Sequence, residues 1–415
     1  MLISNIKSLV GIDLQSGKII SGKGMSSIAC MEDSFLLIEN DRIKDFGKMS
    51  DLKSNPGKHQ SEINASGKFV LPSYCDSHTH LVYASGREQE FADRIKGLSY
   101  QEIANRGGGI LNSVKKIRES SEEELYQSAW ERLDEMMMQG TGAVEIKSGY
   151  GLDLENELKM LRVIKLLRSN HPLTIKATFL GAHAVPVEFK GRNEKYVDVL
   201  INEMIPAVAQ EKLADFCDVF CEDGYFSKDE TIKILEAAKM YDMIPKVHAE
   251  QLSHSGGIEA GVQSNAISVD HLEYADENDM ALLKNSGVMP TLLPGAQFFL
   301  QLPYPPARKM IDAGLPLAIA SDFNPGSSPS GNMNVMIALG CIQYRITPEE
   351  AINAATINSA YAMGLNQTHG SIAIGKMANV FITKKIPSLA FLPYSFGSSL
   401  IETVIINGKI QKKIS

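Results

Sequence analysis

The chain has little that would tie it to a membrane, a nucleic acid or an oxidising compartment. Its five cysteines (Cys30, Cys75, Cys217, Cys221, Cys341) are scattered among 415 residues without a C-x-x-C pair. That excludes zinc-finger chemistry and reads as reduced thiols, so a cytoplasmic protein is expected. No apolar run approaches the roughly 18 residues of a membrane span. The first residues, with Lys7 and Asp13 inside a short apolar stretch, lack the core and cleavage site of a signal peptide. The net charge of −8 comes without a block of like charges, and no basic stripe is interleaved with aromatics. Nucleic acid and membrane partners are therefore not expected, and a small solute is. The oligomeric state stays open, a homodimer being one compatible assembly.

What is present is an ordinary globular composition, 44% hydrophobic and 22% charged, sufficient for a large domain and a small one. Residues 1–65 alternate short β-rich runs (8–12, 34–39, 42–46) with Gly, Asn and Asp turns, the pattern of a small antiparallel sheet. Beyond it, apolar β-branched runs alternate with amphipathic helical stretches such as 122–138 and 156–168. Eight runs are candidate strands: 69–76, 143–147, 175–181, 218–222, 244–248, 266–270, 288–293 and 317–321. This count and spacing predict an α/β fold, a (β/α)8 TIM barrel over 66–369; an open doubly wound sheet is the alternative. Strand-like runs at 380–383 and 403–406, the second followed by an Asn407-Gly408 turn, are expected to rejoin the N-terminal sheet. A composite β-sandwich of 1–65 plus 370–415 would result.

Candidate chemistry lies at the ends of these strands. The first ends in Asp76-Ser77-His78-Thr79-His80, where alternation aims both imidazoles at one face. Alone, such a pair also occurs by chance on polar surfaces. Strand five, however, ends in His248, strand six in His271 and strand eight in Asp322. Taken singly, His248 reads as a core histidine and Asp322 as a helix cap. Together, at the strand ends where barrels place catalysts, imidazoles and a carboxylate make an open site for one transition metal.

H-x-H on strand one, His on strands five and six, and Asp on strand eight resemble the amidohydrolase superfamily. The resemblance covers nearly the whole chain. It implies His78, His80, His248 and Asp322 as metal ligands, with His271 close to the water or the substrate. Strand four ends in Phe220-Cys221-Glu222-Asp223-Gly224, without the lysine that bridges two metals in some members. One ion per chain is thus expected, zinc or iron, divalent or trivalent. Lys147 is a tempting lysine at a position wrong for a bridge.

Longer strings are similar to the imidazolonepropionase family: Glu145-Ile146-Lys147-Ser148-Gly149-Tyr150-Gly151, Phe179-Leu180-Gly181-Ala182-His183, His248-Ala249-Glu250-Gln251-Leu252, Asp270-His271-Leu272-Glu273, Asp322-Phe323-Asn324-Pro325-Gly326-Ser327, Gly86-Arg87-Glu88 and Gly107-Gly108-Gly109-Ile110. This resemblance implies hydrolytic opening of 4-imidazolone-5-propanoate to N-formimidoyl-L-glutamate in histidine degradation. Arg87 would pair with the propionate, with Tyr100 a further candidate there. Tyr150, His183 and Gln251 would contact the ring, and Asn324, Gly326 and Ser327 the product. Asp322, His271 and Glu250 are the implied carriers of protons and charge, although Glu250 also reads as a group that orients its neighbour. Two rival readings are an aminoazole or nucleobase deaminase, which needs no cation for a neutral base, and an inactive relative, which needs a broken ligand set. Ser73-Tyr74 and Asn379 depart from the family's usual wording, away from the proposed site.

Overall fold

The computed structural model describes residues 1–13, 17–52, 61–98, 102 and 108–413. The N-terminal part supplies β1 (Leu2–Val10), β2 (Cys30–Glu39), β3 (Arg42–Lys48), β4 (Glu62–Asn64) and β5 (Lys68–Pro72). The barrel follows with β6 (Tyr74–Thr79), β7 (Thr141–Lys147), β8 (Thr174–Ala182), β9 (Phe216–Cys221), β10 (Ile244–Ala249), β11 (Ser268–His271), β12 (Met289–Leu292) and β13 (Ala318–Ile319). Then come β14 (Val380–Lys385), β15 (Ile401–Ile406) and β16 (Lys409–Lys413).

β6 to β13 pair in sequence order, every pair parallel. The ends of the ladder are brought together by the Asp322 N–H on the His78 carbonyl (3.0 Å) and the His80 N–H on the Phe323 carbonyl (2.9 Å). The expected TIM barrel is thus the observed fold. Its helices form where the sequence supplies both a start signal and an apolar stripe. Glu122–Met138 begins at a Ser121/Glu124 capping box, carries acidic residues in its first turn, and buries Leu125, Ala129, Leu133 and Met136. Leu154–Asn170 starts at Asp153, whose side chain accepts the Asn156 N–H, and ends near Arg168.

Strands from both ends of the chain share the second sheet, in the order β16-β15-β14-β5-β1-β2-β3 with β4 beside β1. Alternation along its strands separates two cores. Val70, Val380, Ile382 and Ile405 join Ile3, Ile6, Leu9, Leu36 and Ile38 in the sheet's own apolar centre. Leu71, Phe381, Val404 and Ile406 face the other way and merge with the barrel core. Asn407 and Gly408 both take positive φ, 50° and 70°, as a tight hairpin between β15 and β16 requires.

One strand expectation needs correction. The apolar run 69–76 is two strands, not one: β5 pairs with β14 and β1 in the terminal sheet, whereas β6 opens the barrel. The chain changes sheets at Ser73. Its N–H bonds the Asn379 carbonyl, and the next N–H, of Tyr74, bonds the Gly140 carbonyl below the barrel. A run buried on both sides of the break carries no period that would mark it. No helix among the described residues is long and apolar enough to cross a membrane.

Candidate metal centre at the barrel mouth

His78, His80, His248, His271 and Asp322 leave the barrel strands at their C-terminal ends and are all buried there. The backbone is strained where three of the strands end. His271, Asp322 and Glu250 hold φ of 91°, 52° and 49°, left-handed values that side-chain-bearing residues adopt when the surroundings impose them. The His78, His248 and His271 nitrogens lie within 4.8 Å of one another, as do the ligand atoms of His78, His80 and Asp322. Nε2 of His80 is 3.3 Å from Nε2 of His78 and 3.4 Å from Nε2 of His248, while Oδ1 of Asp322 is 3.6 and 3.5 Å from Nε2 of His78 and His80.

The carboxylate on the far side of His78 assigns its tautomer. Nδ1 of His78 meets the Asp270 carboxylate at 2.6 Å, whereas Nδ1 of His248 lies 3.0 Å from Oδ2 of Asp218 without a hydrogen bond to it. With its proton held at Nδ1, His78 turns the Nε2 lone pair toward His80 and Oδ1 of Asp322. Acceptors so close repel unless a cation sits between them. Burial first, then Lys147 and the neighbouring rings for His78, and burial, then His183 and His248 for His80, push the pKa of these two imidazoles well below the usual histidine range, so neither of them supplies that cation as an imidazolium. Burial raises the Asp322 carboxyl against the pull of His271 and His248. Three imidazoles and one carboxylate around a common point suit a single transition metal with room for water.

The surrounding side chains divide by what they touch. His183 stacks on His80 with ring centroids 5.0 Å apart and donates from Nδ1 to the Gly149 carbonyl (3.0 Å), which leaves Nε2 as an acceptor. Burial, then His248, lowers its pKa to about 3. Tyr150 lies beside both rings, at 5.9 Å from His80 and 5.5 Å from His183. His271 is held at Nδ1 by Glu273 (3.4 Å); burial opposes its charge, but Glu273 and Asp322 outweigh burial and raise its pKa. Arg87 donates to Glu90 at 2.5 Å and packs so closely on Gly326 that a Cβ there would stand 2.2 Å from Nη1. Its Nε is buried without a hydrogen-bond partner among the described residues. The guanidinium thus packs against the loop that carries Asp322.

Other expected residues are placed differently. Glu250 is turned from the imidazoles: its two oxygens accept the N–H groups of Gly256 (2.9 Å) and Ile258 (3.1 Å), capping a helix. Burial and then Asp279 raise its pKa to about 7. With both oxygens on backbone N–H groups after a left-handed turn, Glu250 stands where the orienting role expected of it is the better supported of its two readings. The Asn324 side chain is spent on its own loop, accepting from the Gly326 and Ser327 N–H groups (both 2.8 Å) and donating to the Asp322 carbonyl and Ser327 hydroxyl. Ser327 Oγ in turn donates to Asp322 Oδ2 at 3.3 Å. Gln251 and Leu252 are held by their N–H groups on Glu222 (3.1 and 2.8 Å). Tyr100 and Gly107 lie outside the described residues.

Sequence reasoning missed the charges beneath the site. Glu145, Lys147, Asp218, Lys246 and Asp270 are all fully buried on barrel strands. Their signal was available: a charge inside an apolar strand, two residues from a functional one or from another charge, as in Lys246-Val247-His248 and Glu145-Ile146-Lys147.

Fold and site together define a hydrolase barrel built to hold a metal ion. Residues 69–411 match the amidohydrolase family model, and the chain belongs to that family. More particularly, it groups with relatives named imidazolonepropionase: it is 56% identical to the one from Christiangramia forsetii and 57% identical to the one from Flavobacterium johnsoniae, each match covering 99% of both chains. Among solved structures, E. coli guanine deaminase superposes with a TM-score of 0.75 at 12% identity, covering 100% of this chain and 99% of that one, a likeness of fold alone.

Proposed function

We propose that this protein is a hydrolase that opens the ring of 4-imidazolone-5-propanoate by adding water across the ring amide and releasing N-formimidoyl-L-glutamate, the activity of an imidazolonepropionase. Near-full-length similarity to relatives of that name supports the substrate. The observation that carries the chemistry is the convergence of imidazole and carboxylate groups on one point, with the half-buried Arg87 guanidinium packed against the loop that carries Asp322. His78, His80, His248 and Asp322 would hold one zinc or iron ion. When bound, the ion supplies Lewis-acid chemistry, which brings the pKa of a water from about 16 to about 7.

Arg87 takes the propionate, with Nε and the edge of its fork offered to a carboxylate in a water-poor pocket. His183 Nε2 and the Tyr150 hydroxyl flank the ring beside His80, and Gln251 contributes from the loop that Glu222 pins. Asp322, its carboxyl steadied by Ser327, accepts a proton from the attacking water and returns it to the ring nitrogen as the C–N bond breaks. His271, oriented by Glu273, donates a hydrogen bond to the carbonyl oxygen as it gains charge. Asn324 acts by shaping the loop under Asp322. A cytoplasmic setting fits the free cysteines Cys30, Cys75, Cys217, Cys221 and Cys341. The test is an assay of the purified protein on imidazolone propionate before and after metal stripping by a chelator and again after zinc or iron is restored. Turnover that needs the metal supports the reading; none on this substrate with metal bound overturns it.

A further inference from the structure

The lysine that cannot bridge two metals has another use. Lys147 is fully buried in the barrel with its ammonium 2.6 Å from Oε1 of Glu145, 2.8 Å from Oδ2 of Asp218 and 3.8 Å from Oδ2 of Asp270. Those two aspartate oxygens are the ones that face imidazoles. Oδ2 of Asp218 lies 3.0 Å from Nδ1 of His248, and Oδ2 of Asp270 lies 2.6 Å from Nδ1 of His78. The other aspartate oxygens are already tied, Oδ1 of Asp218 to the His248 N–H (3.1 Å) and Oδ1 of Asp270 to the Ser268 hydroxyl (2.7 Å). Glu145, the remaining carboxylate, is shared with the Thr178 hydroxyl (2.6 Å) and with Lys246, which also donates to the Ser77 carbonyl (3.0 Å).

We propose that Lys147 is a positioning residue for the metal centre: hydrogen-bonded to Asp218 and within ionic reach of Asp270, it sets the two carboxylates that face Nδ1 of His248 and His78, so one buried ammonium aims two ligand imidazoles. Two of its donors bond Glu145 and Asp218, and its charge reaches Oδ2 of Asp270 across 3.8 Å, where Lys246 adds a second ammonium at 3.9 Å. Without Lys147, Asp218 and Glu145 would stand close together with nothing between them, and Asp218 would swing off His248. Burial works against a charged lysine, yet Asp218, Glu145 and Asp270 raise its pKa far above the usual value, in keeping with a permanent cation there.

The inference rests on the metal-site reading, and the experiment separates the two. Histidine-labelled apoprotein is examined by 15N NMR, and metal affinity is measured by chelator competition, for the wild type, for Lys147→Met, and for Lys147→Met combined with Glu145→Gln, which leaves the net charge of the buried layer unchanged. In the wild type, His78 and His248 should carry their protons on Nδ1. Both variants should mix the tautomers of these two rings, leave His171 and His369 as they were, and weaken zinc binding about 10- to 100-fold, the range for loss of a group that orients a ligand. A lysine that merely balances charge predicts the opposite for the single variant, tighter zinc binding, because a cation beneath the ion has gone. Tighter or unchanged affinity with unchanged tautomers overturns the proposal, as does an Nε2-protonated His78 or His248 in the wild type, a result that needs no variant to fold. Failure of the wild type to bind metal overturns the metal-site reading instead.

Discussion

The inner face of the terminal sheet and the inward face of the barrel strands are built by the same two-residue alternation, yet they bury opposite chemistries. In the terminal sheet the centre of the inner face is apolar, and Ile3, Leu36, Val380, Ile382 and Ile405 close on one another. In the barrel, the residues so placed include Glu145 and Lys147 on β7, Asp218 on β9, Lys246 and His248 on β10 and Asp270 on β11, all buried. An apolar face gains stability from every methylene removed from water. A buried charge layer gains little net stability, because desolvation offsets the attraction, and what it supplies is fixed geometry. The terminal sheet therefore serves stability, and the upper barrel interior serves aim. Left-handed His271 and Asp322 repeat the point, since strain is tolerated at the mouth.

Substitutions on the two sides should accordingly separate activity from stability. The largest effect is expected from His248→Ala, which should abolish turnover and remove the bound metal, about one ion per chain in the wild type, while the far-UV circular dichroism stays that of the wild type. Elemental analysis with an activity assay checks it, and retained turnover would remove His248 from the site. Next comes Arg87→Met, expected to leave metal content unchanged but to cost about 2 to 5 kcal/mol in kcat/KM on the carboxylate substrate. An analogue with a neutral amide in place of the carboxylate should lose much less, and equal losses on both would make Arg87 a packing residue of the Gly326 loop.

What was legible beforehand follows the same division. The barrel and the metal cluster could be read because strand ends carry unusual residue types at the one place where a barrel puts chemistry. The sheet switch at Ser73 could not, since burial on both sides erases the alternation that separates strands. Adjacency to His248 says nothing of the direction of the Glu250 side chain when the backbone there turns left-handed. Lys147 is badly placed for a metal bridge, and its two-residue spacing from Glu145 already puts two opposite charges on one strand face.

On the terminal-sheet side, Leu36→Ala removes a fully buried side chain from the sheet's own apolar centre and should lower unfolding free energy by about 2 to 5 kcal/mol in urea melts. Its kcat/KM per folded molecule should stay that of the wild type, and a matching loss of catalysis would dissolve the distinction between the two regions.

The smallest expected effect is a pH dependence at a histidine on neither face. His369 is buried where the barrel meets the terminal sheet, its Nε2 3.0 Å from Thr174 Oγ1 and its Nδ1 2.8 Å from Thr368 Oγ1. Burial, and then the positive charge of Lys376, lowers its pKa from 6.5 to about 4. The unfolded chain takes up this proton at higher pH than the folded one. The neutral imidazole therefore contributes its full share of stability above pH 6.5, and that share is lost as pH falls from there toward 4. The shift corresponds to about 3 kcal/mol at most. His369→Gln, which does not titrate, should flatten the acid limb of the urea-stability profile by up to that amount, leaving metal content and turnover at neutral pH unchanged. Any acid loss caused by release of the metal is common to both proteins and cancels in the difference. Parallel profiles for the two would mean that His369 is protonated in the folded state or that its site admits water.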